Sequence, residues 1–188
     1  DFNQSMKHRN HSLATYELWS WKDTDKDQCI LAVGFGLSRD LEKSADDPWQ
    51  WSLSWGKSGL QFTTNGGGEL KSKSTVSTPG DSEETKPLFF PNRWVHIALT
   101  IDAVRSPARV CLYVNGNCVA EGEMQNPNGG DLVNTDPSTA LYICPNFCGQ
   151  ITEVRIWALT RPQDQLYAEK DWPLKMAKKG RKKYGIKI

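Results

Sequence analysis

The sequence predicts an all-β fold made of antiparallel strands. Short runs rich in β-forming residues alternate with turn-rich breaks along the chain, and helical periodicity is almost absent before residue 160. The 188 residues are 38% hydrophobic and 10% aromatic, which is enough for one substantial core and argues against disorder throughout. A regular succession of short strands is typical of a sandwich or a barrel.

The first two predicted strands lie on either side of a polar break. Residues 16–21 alternate as Tyr-Glu-Leu-Trp-Ser-Trp, residues 22–28 are polar, and residues 29–35 are rich in apolar side chains. Two β-rich runs separated by a short polar segment favour a hairpin, so we expect these two strands to pair with each other.

The third predicted strand contains three tryptophans. Residues 49–55 have a strict period of two, which places four apolar side chains on one face: Trp49, Trp51, Leu53 and Trp55. Residues 60–64 form the next strand, which follows the turn Gly-Lys-Ser-Gly and ends before three glycines. Residues 71–86 are rich in Ser, Thr, Glu and Lys, and we expect a long exposed loop there.

Two central strands have clear apolar faces. Residues 94–102 alternate, which places four side chains on a face that must be buried: Val95, Ile97, Leu99 and Ile101. The next strand presents a similar face: Val110, Leu112 and Val114. Asn115-Gly116 is a strong signal for a type I′ hairpin turn, which pairs Val114 with Asn117.

The last predicted strands are residues 140–144 and 151–157, and a helix follows them. Thr160 has the position of an N-cap, Pro162 lies in the first turn, and Gln163 has the capping-box position. We therefore expect a short C-terminal helix.

Several of these segments, in this order and spacing, resemble the laminin G-like and pentraxin-like domains of the concanavalin A-like lectin/glucanase superfamily. The resemblance covers residues 13–166 and rests on a first strand, Glu17-Leu-Trp-Ser-Trp, followed by four segments: WVHIALT from Trp94, LYVNG from Leu112, LYIC from Leu141, and FCGQITEVRIW from Phe147. It implies a jelly roll of two packed antiparallel sheets. We expect an N-terminal tail at residues 1–12, a β-sandwich at 13–160, and a helix with a basic tail at 161–188.

The cysteines do not predict a closed set of disulfides, because five is an odd number. The hairpin register places Cys118 opposite Tyr113, so Cys111 and Cys118 lie diagonally on one face and a disulfide between them would be strained. Cys144 and Cys148 lack the second pair of ligands that a zinc site requires. We expect structural thiols, which favours an intracellular setting and leaves an extracellular one open.

The three tryptophans of the third strand are the ligand-binding candidates. Indole rings stack on sugars and fill partner pockets. If the face that carries Trp49, Trp51 and Trp55 looks into the sandwich, these residues are core. If it looks outward, it is a binding platform and an exposed apolar patch.

A calcium site is the one cofactor hypothesis. Asp23, Asp25 and Asp27 place carboxylates at every second position, where they could converge on a hard cation. The alternative is a solvated turn. The resemblance does not supply a calcium site, because Thr152 stands where many members have Asp and the acidic loop ligands of calcium-binding members have no match here.

We expect no catalytic activity. Glycosidases of the same superfamily need two opposed carboxyl groups, and the nearest pattern, Glu121 and Glu123, reads as two exposed glutamates beside a hairpin. His8 and His11 fall in the predicted tail, and His96 falls within a strand, where a packed or surface histidine is the ordinary interpretation.

The charge of the chain is nearly balanced, with 23 Lys plus Arg and 22 Asp plus Glu, so no strong overall field attracts nucleic acid. The exception is a basic tail that contains Lys178, Lys179, Arg181, Lys182 and Lys183. Such a cluster binds anionic lipid or nucleic acid, acts as an import signal, or is a solvated linker.

These observations together predict a noncatalytic binding module, one domain of a larger protein, that recognises protein or carbohydrate. A calcium-dependent extracellular lectin-like domain and a jelly-roll glycosidase are the alternatives.

Overall fold

The structure is a computed structural model, and it describes residues 13–35, 49–72, 75–77, 85–87, 91–104, 106–125, 139–145 and 147–172. The predicted N-terminal tail and the basic tail lie outside these residues. The described part of the chain contains twelve strands and one helix: β1 Leu13–Trp21, β2 Gln28–Phe35, β3 Trp49–Gly56, β4 Gly59–Thr64, β5 Glu69–Lys71, β6 Thr75–Ser77, β7 Thr85–Pro87, β8 Val95–Asp102, β9 Ala108–Val114, β10 Asn117–Met124, β11 Thr139–Ile143, β12 Gln150–Trp157 and α1 Gln163–Glu169.

Ten of these strands form two five-stranded antiparallel sheets. Sheet A has the order β10-β9-β8-β1-β12, and sheet B has the order β11-β2-β3-β4-β5. The predicted hairpin between β1 and β2 is wrong, because the polar segment between them carries the chain from sheet A to sheet B. Within the predicted long loop, β6 and β7 form a separate two-stranded sheet.

The core lies between the inner faces of the two sheets, as the predicted jelly-roll sandwich requires. Sheet A contributes the predicted apolar faces of β8 and β9, and sheet B contributes Trp51, Leu53 and Trp55, each at most 1% exposed. The Tyr16 ring meets the Trp51 ring edge-on at 5.4 Å, which joins the sheets through an aromatic pair. Burial raises the pKa of the Tyr16 hydroxyl well above its usual value.

The hairpin between β9 and β10 has the predicted turn and register. Asn115 and Gly116 have φ angles of 52° and 79°, as a type I′ turn requires. Val114 pairs with Asn117, and Cys118 lies opposite Tyr113. All five cysteines are free thiols.

Helix α1 packs against the outer face of sheet A. Its buried residue Leu166 lies in a small apolar cluster on that face with Ala98, Cys111 and Tyr113. The predicted N-cap, Thr160, is wrong: the helix begins after Pro162, which makes no side-chain cap hydrogen bond. The segment that leads into the helix is held instead by Thr15, whose Oγ1 accepts a hydrogen bond from the Arg161 main-chain N–H at 2.9 Å.

A buried carboxylate on β1 anchors the segment that carries this helix. Glu17 is 1% exposed, and its Oε1 accepts a hydrogen bond from Arg161 Nη1 at 2.5 Å. Its Oε2 lies 3.3 Å from His96 Nε2 and 3.8 Å from Arg155 Nη1. Burial by itself would raise the pKa of Glu17, but the hydrogen bonds from His96 and Arg161 and the charge of Arg161 lower it below its usual value.

The two arginines extend this network into the C-terminal segment. Arg161 also binds the Glu169 carboxylate, and its guanidinium lies 4.6 Å from the centre of the Trp157 ring. Arg155 donates to the main-chain carbonyls of Glu169, at 3.0 Å, and of Trp172. One buried carboxylate therefore holds two cations that both bind the C-terminal end of α1.

We expect Gly116→Ala to destabilise the protein more than Gly67→Ala. Both glycines have φ near +80°, so each alanine costs about 1–2 kcal/mol of backbone strain. A Cβ at Gly67 meets open space, whereas a Cβ at Gly116 would lie 2.6 Å from the Tyr167 Cα. Urea unfolding should give an additional loss of about 1–3 kcal/mol for Gly116→Ala, the usual cost of overpacking. Equal losses would contradict the contact between the hairpin and α1.

We expect Glu17→Gln to lower the free energy of unfolding at pH 7 by about 3–5 kcal/mol, because it leaves buried arginines without their counter-ion. The folded-state pKa of Glu17 lies below its unfolded value of 4.5, so its contribution is present above pH 4.5 and is lost as the pH falls through the folded pKa. Thermal melting from pH 7 to pH 3 should show the two proteins converging in acid.

The matched control is Glu121→Gln. Glu121 forms an exposed ion pair with Arg109 at 2.7 Å, and such pairs contribute about 0–1 kcal/mol. A constant gap between the wild type and Glu17→Gln at all pH values would contradict the assignment of the acid sensitivity to Glu17.

Candidate functional site

The structure divides the three candidate tryptophans between the core and the surface. Trp51 and Trp55 are 1% and 0% exposed, so they form the core and cannot stack on a ligand. Trp49 is half-buried, and its ring lies 5.1 Å from the ring of Tyr142 on β11. Only Trp49 of the three remains a binding candidate.

A β-bulge turns Trp49 away from the core. Val33 on β2 pairs with Trp51, and the next residue, Gly34, pairs with Trp49. Three residues of β3, Trp49 to Trp51, therefore lie opposite two residues of β2. Gln50 is the extra residue, and it interrupts the alternation of side chains along β3. Trp49 therefore lies on the outer face of sheet B.

Tyr142 reaches the same face by ordinary alternation. Its neighbour Leu141 pairs with Val33 and packs against the core. Tyr142 pairs with Ala32, whose side chain points to the outer face. The two aromatic rings therefore meet edge-on at one side of the outer face of sheet B.

Polar side chains follow on the neighbouring strands of this face. Ser52 Oγ and Thr63 Oγ1 are 2.8 Å apart across β3 and β4, and Ser54 pairs with Gln61 in the same way. At the far edge, Gln61 donates to Glu69, whose Oε1 also lies 3.0 Å from Lys71 Nζ. We call this set the sheet B platform: Trp49, Ser52, Ser54, Gln61, Thr63, Glu69, Lys71 and Tyr142.

The sheet B platform combines the two kinds of group that sugar recognition uses. An aromatic face covers the C–H side of a pyranose ring, and hydroxyl, amide and carboxylate groups bind its hydroxyls. The platform offers an aromatic pair at one end and hydrogen-bonding groups across three strands. The strict alternation of residues 49–55 in the sequence assigns Trp49 to the same face as Trp51, because it gives no sign of the bulge. For Tyr142 a signal was present, since the alternation of residues 140–144 places it on the face opposite Leu141.

The acidic loop after β1 is organised by a buried lysine. The side chain of Lys22 is 0% exposed, and its Nζ donates to the main-chain carbonyls of Lys26 at 2.6 Å and of Trp55 at 2.7 Å. Burial lowers the pKa of Lys22, and the charges of Asp27 and Asp25 act in the opposite direction. The buried ammonium group of Lys22 therefore closes this loop through main-chain carbonyls.

The structure does not assemble Asp23, Asp25 and Asp27 into a metal site. Asp27 instead accepts hydrogen bonds from the main-chain N–H and the hydroxyl of Ser58, at 3.2 and 2.7 Å. Within the described ranges, no three His, Cys, Asp or Glu side chains are grouped to hold a metal ion. The loop closes instead on Lys22 and on the turn between β3 and β4.

The remaining sequence candidates lie elsewhere. Glu121 is bound by Arg109 on the neighbouring strand, and Glu123 is exposed. His96 is buried against Glu17 and the Trp19 ring, at 5.5 Å between ring centres. The basic cluster at residues 178–183 lies outside the described residues. No helix in the described part of the chain is long and apolar enough to cross a membrane.

A shallow depression of about 570 Å³ lies beside α1, where the start of β10 approaches the helix. Its walls are Asn117, Gln163, Asp164 and Tyr167. The sheet B platform is the stronger candidate, because it joins two aromatic rings to a row of polar side chains.

Solved structures of several proteins share the fold of this chain. A Bacteroides ovatus ATCC 8483 protein, provisionally described as carbohydrate-binding, has a TM-score of 0.53 and 22% identity over 86% of this chain. A pentraxin from Limulus polyphemus has a TM-score of 0.52 and 12% identity over 84% of this chain and 69% of its own. The CBM40 domain of a Ruminococcus gnavus IT-sialidase, bound to alpha2,3 sialyllactose, has a TM-score of 0.54 and 14% identity over 83% of this chain and 81% of its own.

The chain spans 41% of the Bacteroides ovatus protein. At these identities the similarities show the shared fold. No curated protein matches the chain in sequence.

A sequence model of a laminin G family, described as the concanavalin A-like lectin/glucanases superfamily, matches residues 4–166. This match spans the whole sandwich and most of α1, and it agrees with the two-sheet architecture. The chain therefore belongs to the laminin G-type domains of the concanavalin A-like lectin/glucanases superfamily.

Proposed function

We propose that the chain is a noncatalytic binding module that recognises carbohydrate through the sheet B platform. The observation that carries this proposal is the bulge in β3, which turns Trp49 out of the core and sets it 5.1 Å from Tyr142. Trp49 is not buried in the core with Trp51 and Trp55 of the same strand, so it does not gain the stabilisation that core burial would give. A ligand-binding role accounts for this placement.

The positions of the polar groups fit a sugar laid across the strands. Neighbouring strands of a sheet are about 4.8 Å apart, so a disaccharide of about 10 Å spans three neighbouring strands. Tyr142, Ala32 and Ser52 pair in one row across β11, β2 and β3, so one sugar ring can cover Tyr142 or Trp49 while the next ring reaches the hydrogen-bonded hydroxyls of Ser52 and Thr63. This arrangement places an apolar contact at one end of the ligand and hydrogen bonds at the other.

Two structural neighbours support carbohydrate as the ligand class. One is the CBM40 domain bound to alpha2,3 sialyllactose, and the other is the Bacteroides ovatus protein with its provisional carbohydrate-binding description. Both share the sandwich of this chain.

The chemistry of the platform favours binding over hydrolysis. Glycoside hydrolysis needs two carboxyl groups on opposite sides of the bond to be broken. Glu69 is the carboxylate on the described part of the platform, and it is already bound by Gln61 and Lys71. We therefore expect a bound glycan to be released unchanged.

The first test is a glycan array followed by titration calorimetry with the best ligand. We expect Trp49→Ala and Tyr142→Ala each to weaken binding at least tenfold, because each removes a stacking ring. Mass spectrometry of the glycan after prolonged incubation should show no cleavage.

Trp94→Ala is the matched control. Trp94 is an exposed tryptophan next to β8, in the other sheet, and its removal should leave glycan affinity unchanged. The proposal fails if no glycan binds, if Trp49→Ala and Trp94→Ala bind alike, or if the glycan is cleaved.

A further inference from the structure

Four of the five strands of sheet B carry no charged side chain. Each strand of sheet A contains at least one ionisable residue, whereas β2, β3, β4 and β11 contain no Asp, Glu, Lys, Arg or His, in a chain that is 24% charged. The charged residues of sheet B, Glu69 and Lys71, lie on its edge strand β5. Charged side chains are the usual occupants of exposed positions, so a ligand of the sheet B platform meets an unusually neutral face.

The aromatic end of the platform is built over small, uncharged residues. Two strand spacings, about 10 Å, separate β3 from β11, yet the rings of Trp49 and Tyr142 are 5.1 Å apart. Both rings must therefore lean over the intervening strand β2, whose outward residues there are Ala32, paired with Tyr142, and Gly34, paired with Trp49. Ala32 is 0% exposed although it points outward, as rings lying above it require.

The middle of the platform offers hydrogen bonds from neutral groups. Ser52 Oγ and Thr63 Oγ1 lie 2.8 Å apart, and Ser54 pairs with Gln61. Hydroxyl and amide groups both donate and accept, so they match the hydroxyl groups of a sugar. A carboxylate or sulfate placed there loses hydration without gaining a cation, and an unpaired charge is costly to desolvate.

The charges at the edge of the platform compensate each other. Glu69 Oε1 and Lys71 Nζ are 3.0 Å apart, and β5 lies two strand spacings, about 10 Å, from β3. This distance exceeds the screening length of about 8 Å at physiological salt. By sequence, the connections that lead into β3 and β11, residues 36–48 and 126–138, contain six carboxylates and two cations, so they supply no excess of positive charge.

We propose that the sheet B platform selects uncharged saccharides and discriminates against sialylated, uronic acid-containing and sulfated glycans. The inference rests on the proposed function, because it names the class of carbohydrate that this same surface takes. A neutral sugar ring satisfies the platform at both ends, with its C–H face on Trp49 or Tyr142 and its hydroxyls on the polar row. An anionic substituent finds no counter-charge, and specificity of this kind comes from what the surface withholds.

A set of glycans matched in everything but charge tests the proposal. An array would carry cellobiose, lactose and N-acetyllactosamine beside their C6-oxidised, sialylated and sulfated forms. Titration calorimetry on the full chain would then compare the best neutral ligand with its charged counterparts. We expect the neutral ligand to bind at least tenfold more tightly, and its affinity to change less than twofold between about 0.05 M and about 0.5 M NaCl, because no ion pair forms.

A cation added to the platform should change this preference. Ser54 is half-buried in the middle of the polar row, so Ser54→Lys places an ammonium group beside the ligand. We expect this variant to bind the anionic counterparts at least fivefold more tightly than the wild type does, and to lose the gain at about 0.5 M NaCl. Ser54→Gln, which is long but uncharged, is the matched control and should give no such gain. Circular dichroism checks that both variants are folded.

The outcomes separate this inference from the proposed function. An absence of binding to every glycan overturns both. Glycan binding that is weakened by Trp49→Ala, but is as tight for the charged counterparts as for the neutral ligand, leaves a carbohydrate site and overturns the selectivity. A steep loss of neutral-ligand affinity with salt, or an equal gain for anionic glycans in Ser54→Gln and Ser54→Lys, also overturns it.

Discussion

The structure depends on one constraint, the alternation of side chains in strands that bury a shared core. Each sheet can pack against the other only by turning every second side chain inward. Trp51, Leu53 and Trp55 meet this constraint from sheet B, and the apolar faces of β8 and β9 meet it from sheet A. The same constraint leaves two outer faces, and the features of functional interest all lie on them.

The two outer faces are used differently because different groups cover them. On sheet A, Glu17 points outward into a site sealed by the C-terminal segment, and its buried charge is tolerable only with Arg161, Arg155 and His96 around it. This network makes α1 part of the sandwich. On sheet B, the outward residues of β3 and β4 other than Trp49 are polar, which suits a surface that meets a polar ligand.

Each of the two sheets contains an irregularity in its strand pairing. The extra residue Gln50 in β3 turns Trp49 outward. In β12, the register shifts between the partners of Glu17 and Trp19, and Glu153 takes a φ of 53° within the shifted stretch. Bulges of this kind re-aim a side chain without breaking the sheet, and they are frequent near binding sites.

The sequence by itself determined the all-β class, the type I′ turn at Asn115-Gly116 and the inward face of β8, because each depends on local backbone preference or on a period of two. Only the tertiary structure decided which strands distant in the sequence pair with each other, that the buried Lys22 closes the acidic loop, and that Trp49 and Trp51 lie on opposite faces of sheet B. These outcomes depend on contacts between residues far apart in the chain. A strand pattern records alternation, but it carries no signal for the partner strand or for the single extra residue that reverses a face.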